Sequence, residues 1–215
     1  MHVPDGILPA GTLIATSIVA VGSVAVGLRK LDYDTIPRAG VVAAVFFVVS
    51  LVHVRTPYGA VHMALSGLAG MTLGWAAFPA MAVALFLQAI LFGHGGVTTL
   101  GANVVIMGMP AVCCYYLFAP RMSGRTIQRR AFARGVGAGV LGVLLAWLVF
   151  FLVMLSAGNQ YKWPAVGFLL MNVVVMPVEA LVTGWAVAFL ARVRPSILTA
   201  PSGRKLHREN SHVAN

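Results

Sequence analysis

Seven long apolar stretches, parted by short polar or basic breaks, take up most of this sequence. They run roughly over residues 11–29, 38–55, 59–75, 77–93, 101–119, 132–157 and 164–192. A helix needs about 20 apolar residues to cross a hydrocarbon core roughly 30 Å thick, so each stretch is about one span long. Only 9% of the 215 residues are charged, against about 25% in soluble domains. Lipid is therefore the solvent for most of the chain, and backbone polar groups must be satisfied internally. The expected fold is all-α integral membrane, with about seven transmembrane helices in one membrane domain over residues 1–195. Residues 196–215 are polar and basic, and read as a disordered cytoplasmic tail.

The net charge of +10 raises the question of nucleic acid. That reading needs a soluble basic face with polar or aromatic reading residues, and none is present. The distribution of charge gives the better account. With the amino terminus outside, thirteen of the 15 basic residues fall on the inner side, and only Arg55 and Lys162 fall outside. Positive charge gathers on the cytoplasmic face. The expected topology is an outer amino terminus, an inner carboxyl terminus and an odd number of spans. Cys113 and Cys114 are adjacent in an apolar run, and read as small packing residues rather than a disulfide. Met1-His-Val-Pro-Asp-Gly6 carries an acid and a proline before any apolar run, unlike the basic opening of a signal peptide.

That opening has its own chemistry. In a free amine followed by histidine, the amine nitrogen of Met1 and the amide nitrogen of His2 close a five-membered ring around a metal. The His2 amide and its own Nδ1 close a six-membered ring. Two residues thus offer three nitrogens, and a fourth completes a square plane, a geometry that suits Ni(II) or Cu(II). Binding releases protons and should strengthen with pH. Pro4, Asp5 and Gly6 are turn residues, able to fold the terminus back over the outer face. His62, just after the Thr56-Pro-Tyr-Gly59 turn, is the best fourth ligand. Position alone leaves it equally open to a role as a buried, hydrogen-bonded histidine.

Other polar residues share the outer side. His94 lies in Phe92-Gly-His-Gly-Gly96, where it could be a ligand but is rather expected to support or gate the site. Thr98, Thr99 and Asn103 could hold the terminus or orient an imidazole by hydrogen bonds. His53 precedes the outer loop and reads as a helix cap. Glu179 is the one acid in the last stretch. Intramembrane carboxylates are usually functional, but a hydrogen bond to Asn172, seven residues earlier, is the favoured reading.

Taken together, Met1-His-Val-Pro-Asp-Gly-Ile-Leu8, Gly59-Ala-Val-His-Met63, Ala77-Phe-Pro-Ala80 and the run from Leu87 through Gly93-His-Gly-Gly-Val-Thr-Thr to Asn103 resemble the CbiM/NikM family. These are substrate-binding (S) components of energy-coupling-factor (ECF) transporters for cobalt and nickel. The resemblance implies an S-component-like fold of seven spans in a bacterial or archaeal cytoplasmic membrane. It implies Ni2+ or Co2+ as transported substrate, held by the Met1 amine, the amide and imidazole of His2, and His62. The Pro-Asp-Gly opening resembles the nickel-type members more. Implied partners are a transmembrane scaffold (T) subunit, cytoplasmic ATPase (A) subunits and, in some systems, a small auxiliary membrane subunit. Family members often carry a histidine where this chain has Asn172.

No phosphate-binding G-x-x-x-x-G-K-[ST] motif occurs, so any ATP must be hydrolysed by partners. Two rivals to ATP-driven capture remain. A proton-coupled permease would use Glu179 as its carrier. An intramembrane metalloenzyme would draw on His62, His94 and Glu179, but no H-E-x-x-H is present.

Overall fold

The computed structural model describes residues 2–56, 59–119 and 127–198. Met1, with the amine of the expected chelate, lies outside the described residues, as does the tail from residue 199 onward. The chain runs through α1 (Ala10–Arg29), α2 (Thr35–Leu51), a hairpin of β1 (His53–Thr56) and β2 (Gly59–His62), and the short α3 (Ser66–Leu73). A 3-10 turn over Gly74–Ala76 leads into α4 (Ala77–Phe92), followed by α5 (Leu100–Phe118), α6 (Ile127–Ser156) and α7 (Lys162–Val193).

Among the described residues, five helical segments are long and apolar enough to cross a membrane: Ala10–Arg29, Ser66–Phe92, Leu100–Phe118, Arg130–Ser156 and Asn159–Val193. Helix α2 is a shorter apolar helix of 17 residues. The third expected span, 59–75, needs correction. Its first part is strand β2, and its second is α3, whose eight residues rise only about 12 Å at 1.5 Å each. The expected second span likewise stops at Leu51 and passes into β1. The cause is local. The β-branched Val54, Thr56 and Val61 favour extended backbone, and β1 pairs antiparallel with β2 in the register His53↔His62; the expected turn at residues 57–58 lies outside the described residues. The hairpin satisfies its own ladder, so an extended segment is tolerated where protein surrounds it. The tail also begins later than expected. Pro195–Ile197 form a 3-10 turn, and Leu198 is fully buried beside Val187 and Ala191.

Large apolar side chains such as Ile14, Ile18 and Val21 point outward, while Ser50, Gln88, Asn103, Asn172, Glu179 and Thr183 are buried within. That inversion fits a lipid-facing exterior. Helices α6 and α7 pack closest where side chains are smallest: a Cβ added at Gly139 would stand 2.7 Å from Cα of Ala180. At one end of the bundle Thr12 Oγ1, at the start of α1, donates to Ser156 Oγ at the end of α6, 2.8 Å away. The amino-terminal segment, the hairpin and the α4–α5 loop gather at this same end, through the contacts described next.

Candidate metal centre

The amino-terminal strap is pinned at two points. Val3 is fully buried, and Asn103 on α5 meets both of its backbone groups: Val3 N–H donates to Oδ1 at 2.8 Å, and Nδ2 donates to the Val3 carbonyl at 3.1 Å. Thr99 Oγ1 donates to the same carbonyl at 2.7 Å. Two residues on, the exposed Asp5 carboxylate accepts from the Thr98 hydroxyl and from the backbone N–H groups of Thr98 at 3.1 Å and Thr99 at 3.3 Å. It thus supplies an anion to the amino-terminal end of α5, where free N–H groups favour one. Those bonds, the Thr98 hydroxyl first, hold the Asp5 carboxyl below its usual value.

The glycines of the α4–α5 loop make room for this strap. Gly95 sits at φ +78°, and a Cβ there would stand 2.8 Å from Asn103 Nδ2 and 3.6 Å from His2 Cβ. A Cβ on Gly96 would collide with the Asp5 carboxylate. The loop backbone therefore lies against the strap at a distance that only glycine allows.

The strap brings His2 into a cluster of imidazoles. Its ring stacks on that of His62, with centroids 4.7 Å apart and planes inclined by 21°. The ring of His94 lies nearly parallel to His2 at 6.3 Å, and His53 meets His94 edge-on at 4.8 Å. All four described histidines are thus in one place. Both ring nitrogens of His2 are buried with no hydrogen-bond partner among the described residues. His62 is only 4% exposed, and its Nδ1 lies 3.0 Å from the Met63 carbonyl. A carbonyl can only accept, so Nδ1 carries the proton and Nε2 the lone pair. Burial above all, with the neighbouring imidazoles adding to it, holds the pKa values of His2 and His62 well below the usual imidazole range. Both rings are then neutral at pH 7, the state a metal requires.

The structure thus draws His2, His62, His94, Thr98 and Asn103 to one end of the molecule. It also adds residues that sequence reasoning passed over. Asp5, by sequence a turn residue, ties the strap to α5. His53 Nδ1 bonds the carbonyl of Leu51, the last residue of α2, at 2.9 Å, consistent with a cap, but its ring also packs on His94. One reading is corrected. Asn172 Nδ2 donates to the Phe168 carbonyl at 2.7 Å, whereas Glu179 accepts from the backbone N–H of Ala64. The two are not partners, because Glu179 faces the end of the hairpin.

No three His, Cys, Asp or Glu side chains converge closely enough to hold a metal among the described residues. A metal at the cluster would need donors besides these side chains. The stacked pair His2 and His62, with His2 lacking other partners, leaves imidazole nitrogen for its ligand set.

Comparisons place the chain in a family. The model of CbiM, described as a cobalt uptake substrate-specific transmembrane region, matches residues 2–197. A putative metal transport protein of Haemophilus influenzae is 37% identical over 92% of this chain and 97% of its own length. A cobalt transport protein CbiM of Sorangium cellulosum is 31% identical over 92% of this chain and 94% of its own. A fused nickel transport protein NikMN of Rhodobacter capsulatus is 34% identical over 64% of this chain, a match spanning 42% of that longer protein. A crystal structure described as a transition metal transporter shares the fold, with a TM-score of 0.60 at 21% identity over the whole of both chains. With a match running over nearly its whole length, the chain belongs to the CbiM family of membrane metal-transport proteins.

Proposed function

We propose that this chain captures a divalent transition metal, nickel in preference to cobalt, at the outer face of the cytoplasmic membrane. The ion is then carried inward as the substrate of an ATP-driven importer of the energy-coupling-factor type. The observation that carries the reading is the buried His2 ring, whose two nitrogens have no hydrogen-bond partner among the described residues and whose centroid lies 4.7 Å from that of His62. An unsatisfied buried polar atom is costly, and a metal ion removes that cost. The ligands are the Met1 amine, the amide and imidazole of His2, and the imidazole of His62. His94, Thr98 and Asn103 support the strap and close the site. Four nitrogens in a plane favour Ni(II), and relatives include both nickel and cobalt transport proteins.

The outer location rests on charge. Lys162 lies at the metal end, while Arg29, Lys30, Arg38, Arg192 and Arg194 lie at helix ends on the opposite side. The need for partners rests on the absence of a nucleotide-binding motif and on the fused relative, whose extra length goes beyond what this chain matches. A scaffold subunit and ATPase subunits supply the motor.

The test compares protein carrying an unmodified Met1 with a variant that has one residue added before it. Nickel affinity is measured by calorimetry on both. The added residue moves the amine out of the chelate, and binding is expected to weaken by at least a hundredfold. Equal affinity in the two proteins sinks the amino-terminal site.

A further inference from the structure

Helix α7 carries one carboxylate inside its span, and the structure gives it a specific partner. Glu179 is 1% exposed and lies two residues after Pro177. Its Oε2 accepts from the backbone N–H of Ala64 at 2.8 Å, two residues beyond His62. The next residue, Leu65, adopts left-handed backbone at φ 49°, the one such non-glycine residue among those described. Helix α3 starts directly after it and has no side-chain cap of its own at Leu65. The first N–H groups of a helix need acceptors, and a buried carboxylate in a membrane needs donors. Glu179 Oε2 and the Ala64 N–H, in the turn one residue before the N-cap of α3, serve each other, while Oε1 has no hydrogen-bond partner among the described residues. On its other side the turn is held by Ser66, whose hydroxyl donates to the Met107 carbonyl of α5 at 3.2 Å.

We infer that Glu179 is a positioning residue for the metal site: by holding Ala64 it fixes the Met63–Leu65 turn, and through it the place of the His62 imidazole. The inference rests on the reading of His62 as a ligand. Left-handed backbone at a leucine persists only where its surroundings hold it. Without an acceptor at Ala64 the turn relaxes, and His62, whose Nδ1 bonds the Met63 carbonyl of that same turn, moves with it. Glu179 therefore acts on the substrate without touching it. It also joins the metal site to α7, an element on the far side of the hairpin in the chain.

The test uses the full-length protein with unmodified Met1, loaded with Cu(II) as a spectroscopic probe and with Ni(II) for affinity. His62→Ala provides the reference: loss of the fourth nitrogen shifts the Cu(II) resonance parameters and the Ni(II) visible band. Glu179→Asp keeps the charge but withdraws the carboxylate by one methylene. Glu179→Gln keeps an acceptor oxygen at Ala64 without the charge. Glu179→Asp is expected to shift both spectra toward those of His62→Ala and to weaken nickel binding on the order of tenfold, whereas Glu179→Gln restores the wild-type spectra. Wild-type spectra in Glu179→Asp overturn the inference. Equal shifts in Asp and Gln variants also overturn it, because they assign the effect to charge. Should His62→Ala itself leave the spectra unchanged, the failure belongs to the ligand reading and not to Glu179.

Discussion

Asn103 offers Val3 both halves of a peptide-like partner, accepting from its N–H and donating to its carbonyl. A strap one residue from His2 is thereby docked as firmly as an edge strand on a sheet. Asn103→Leu keeps the volume and removes both bonds. Buried groups left unpaired cost about 1–3 kcal/mol each, so the strap should detach while the helices stay packed. Nickel affinity is expected to fall on the order of tenfold or more, with the melting temperature in detergent changed little. Amide exchange over residues 2–8 should rise in parallel, and unchanged exchange with unchanged affinity would remove Asn103 from the account. Much at this scale was legible. Thr98, Thr99 and Asn103 are polar residues in an apolar context, and His62 is a histidine on the same side as Met1-His2, whose order of nitrogens alone suggests a chelate. Asp5 was harder, since its partner lies 93 residues away and turn chemistry already explained it. Glu179 pointed to the wrong partner, because the seven-residue spacing to Asn172 is visible in sequence and the contact to Ala64 is not.

At the scale of elements, apolar content identified where helices lie but not where one fails. The stretch 59–75 is as apolar as its neighbours, yet its first four residues are strand. Length and composition do not separate an extended segment buried in protein from a helix in lipid. The hairpin signal was present only in the Thr56-Pro-Tyr-Gly59 turn and the β-branched residues beside it. Gly135 and Gly139 on α6 both meet α7 backbone: added Cβ atoms would lie 2.8 Å from Cα of Gly184 and 2.7 Å from Cα of Ala180. Gly139→Leu should therefore force α6 and α7 apart and cost roughly 1–3 kcal/mol, as overpacking does. Thermal unfolding in detergent is expected to show a clearly lower midpoint. Gly22→Leu on α1, where nothing lies within 4 Å of an added Cβ, should leave the midpoint nearly unchanged. Equal midpoints in the two variants would mean that the α6–α7 contact does not limit stability.

For the whole molecule, the arrangement turns on which end faces out. Helix α1 begins beside the end of α6, through Thr12 and Ser156. Its 20 residues extend about 30 Å, so the α1–α2 connection lies at the far end from the histidine cluster. That connection and the residues around it hold Arg29, Lys30 and Arg38, while the α6–α7 connection at the metal end is followed by Lys162 alone. Under the positive-inside rule this bias predicts that the histidine cluster faces out. Labelling in cells tests it. Cys113 and Cys114 are first replaced by alanine, and single cysteines are introduced as Gln160→Cys in the α6–α7 connection and Tyr33→Cys in the α1–α2 connection, where Tyr33 is 94% exposed. A membrane-impermeant maleimide should label Gln160→Cys in intact cells and Tyr33→Cys only after permeabilisation. The reverse pattern would place the metal site in the cytoplasm. An amino-terminal chelate facing that way would serve export or sensing rather than capture, so the direction of transport stands or falls with this one asymmetry of charge.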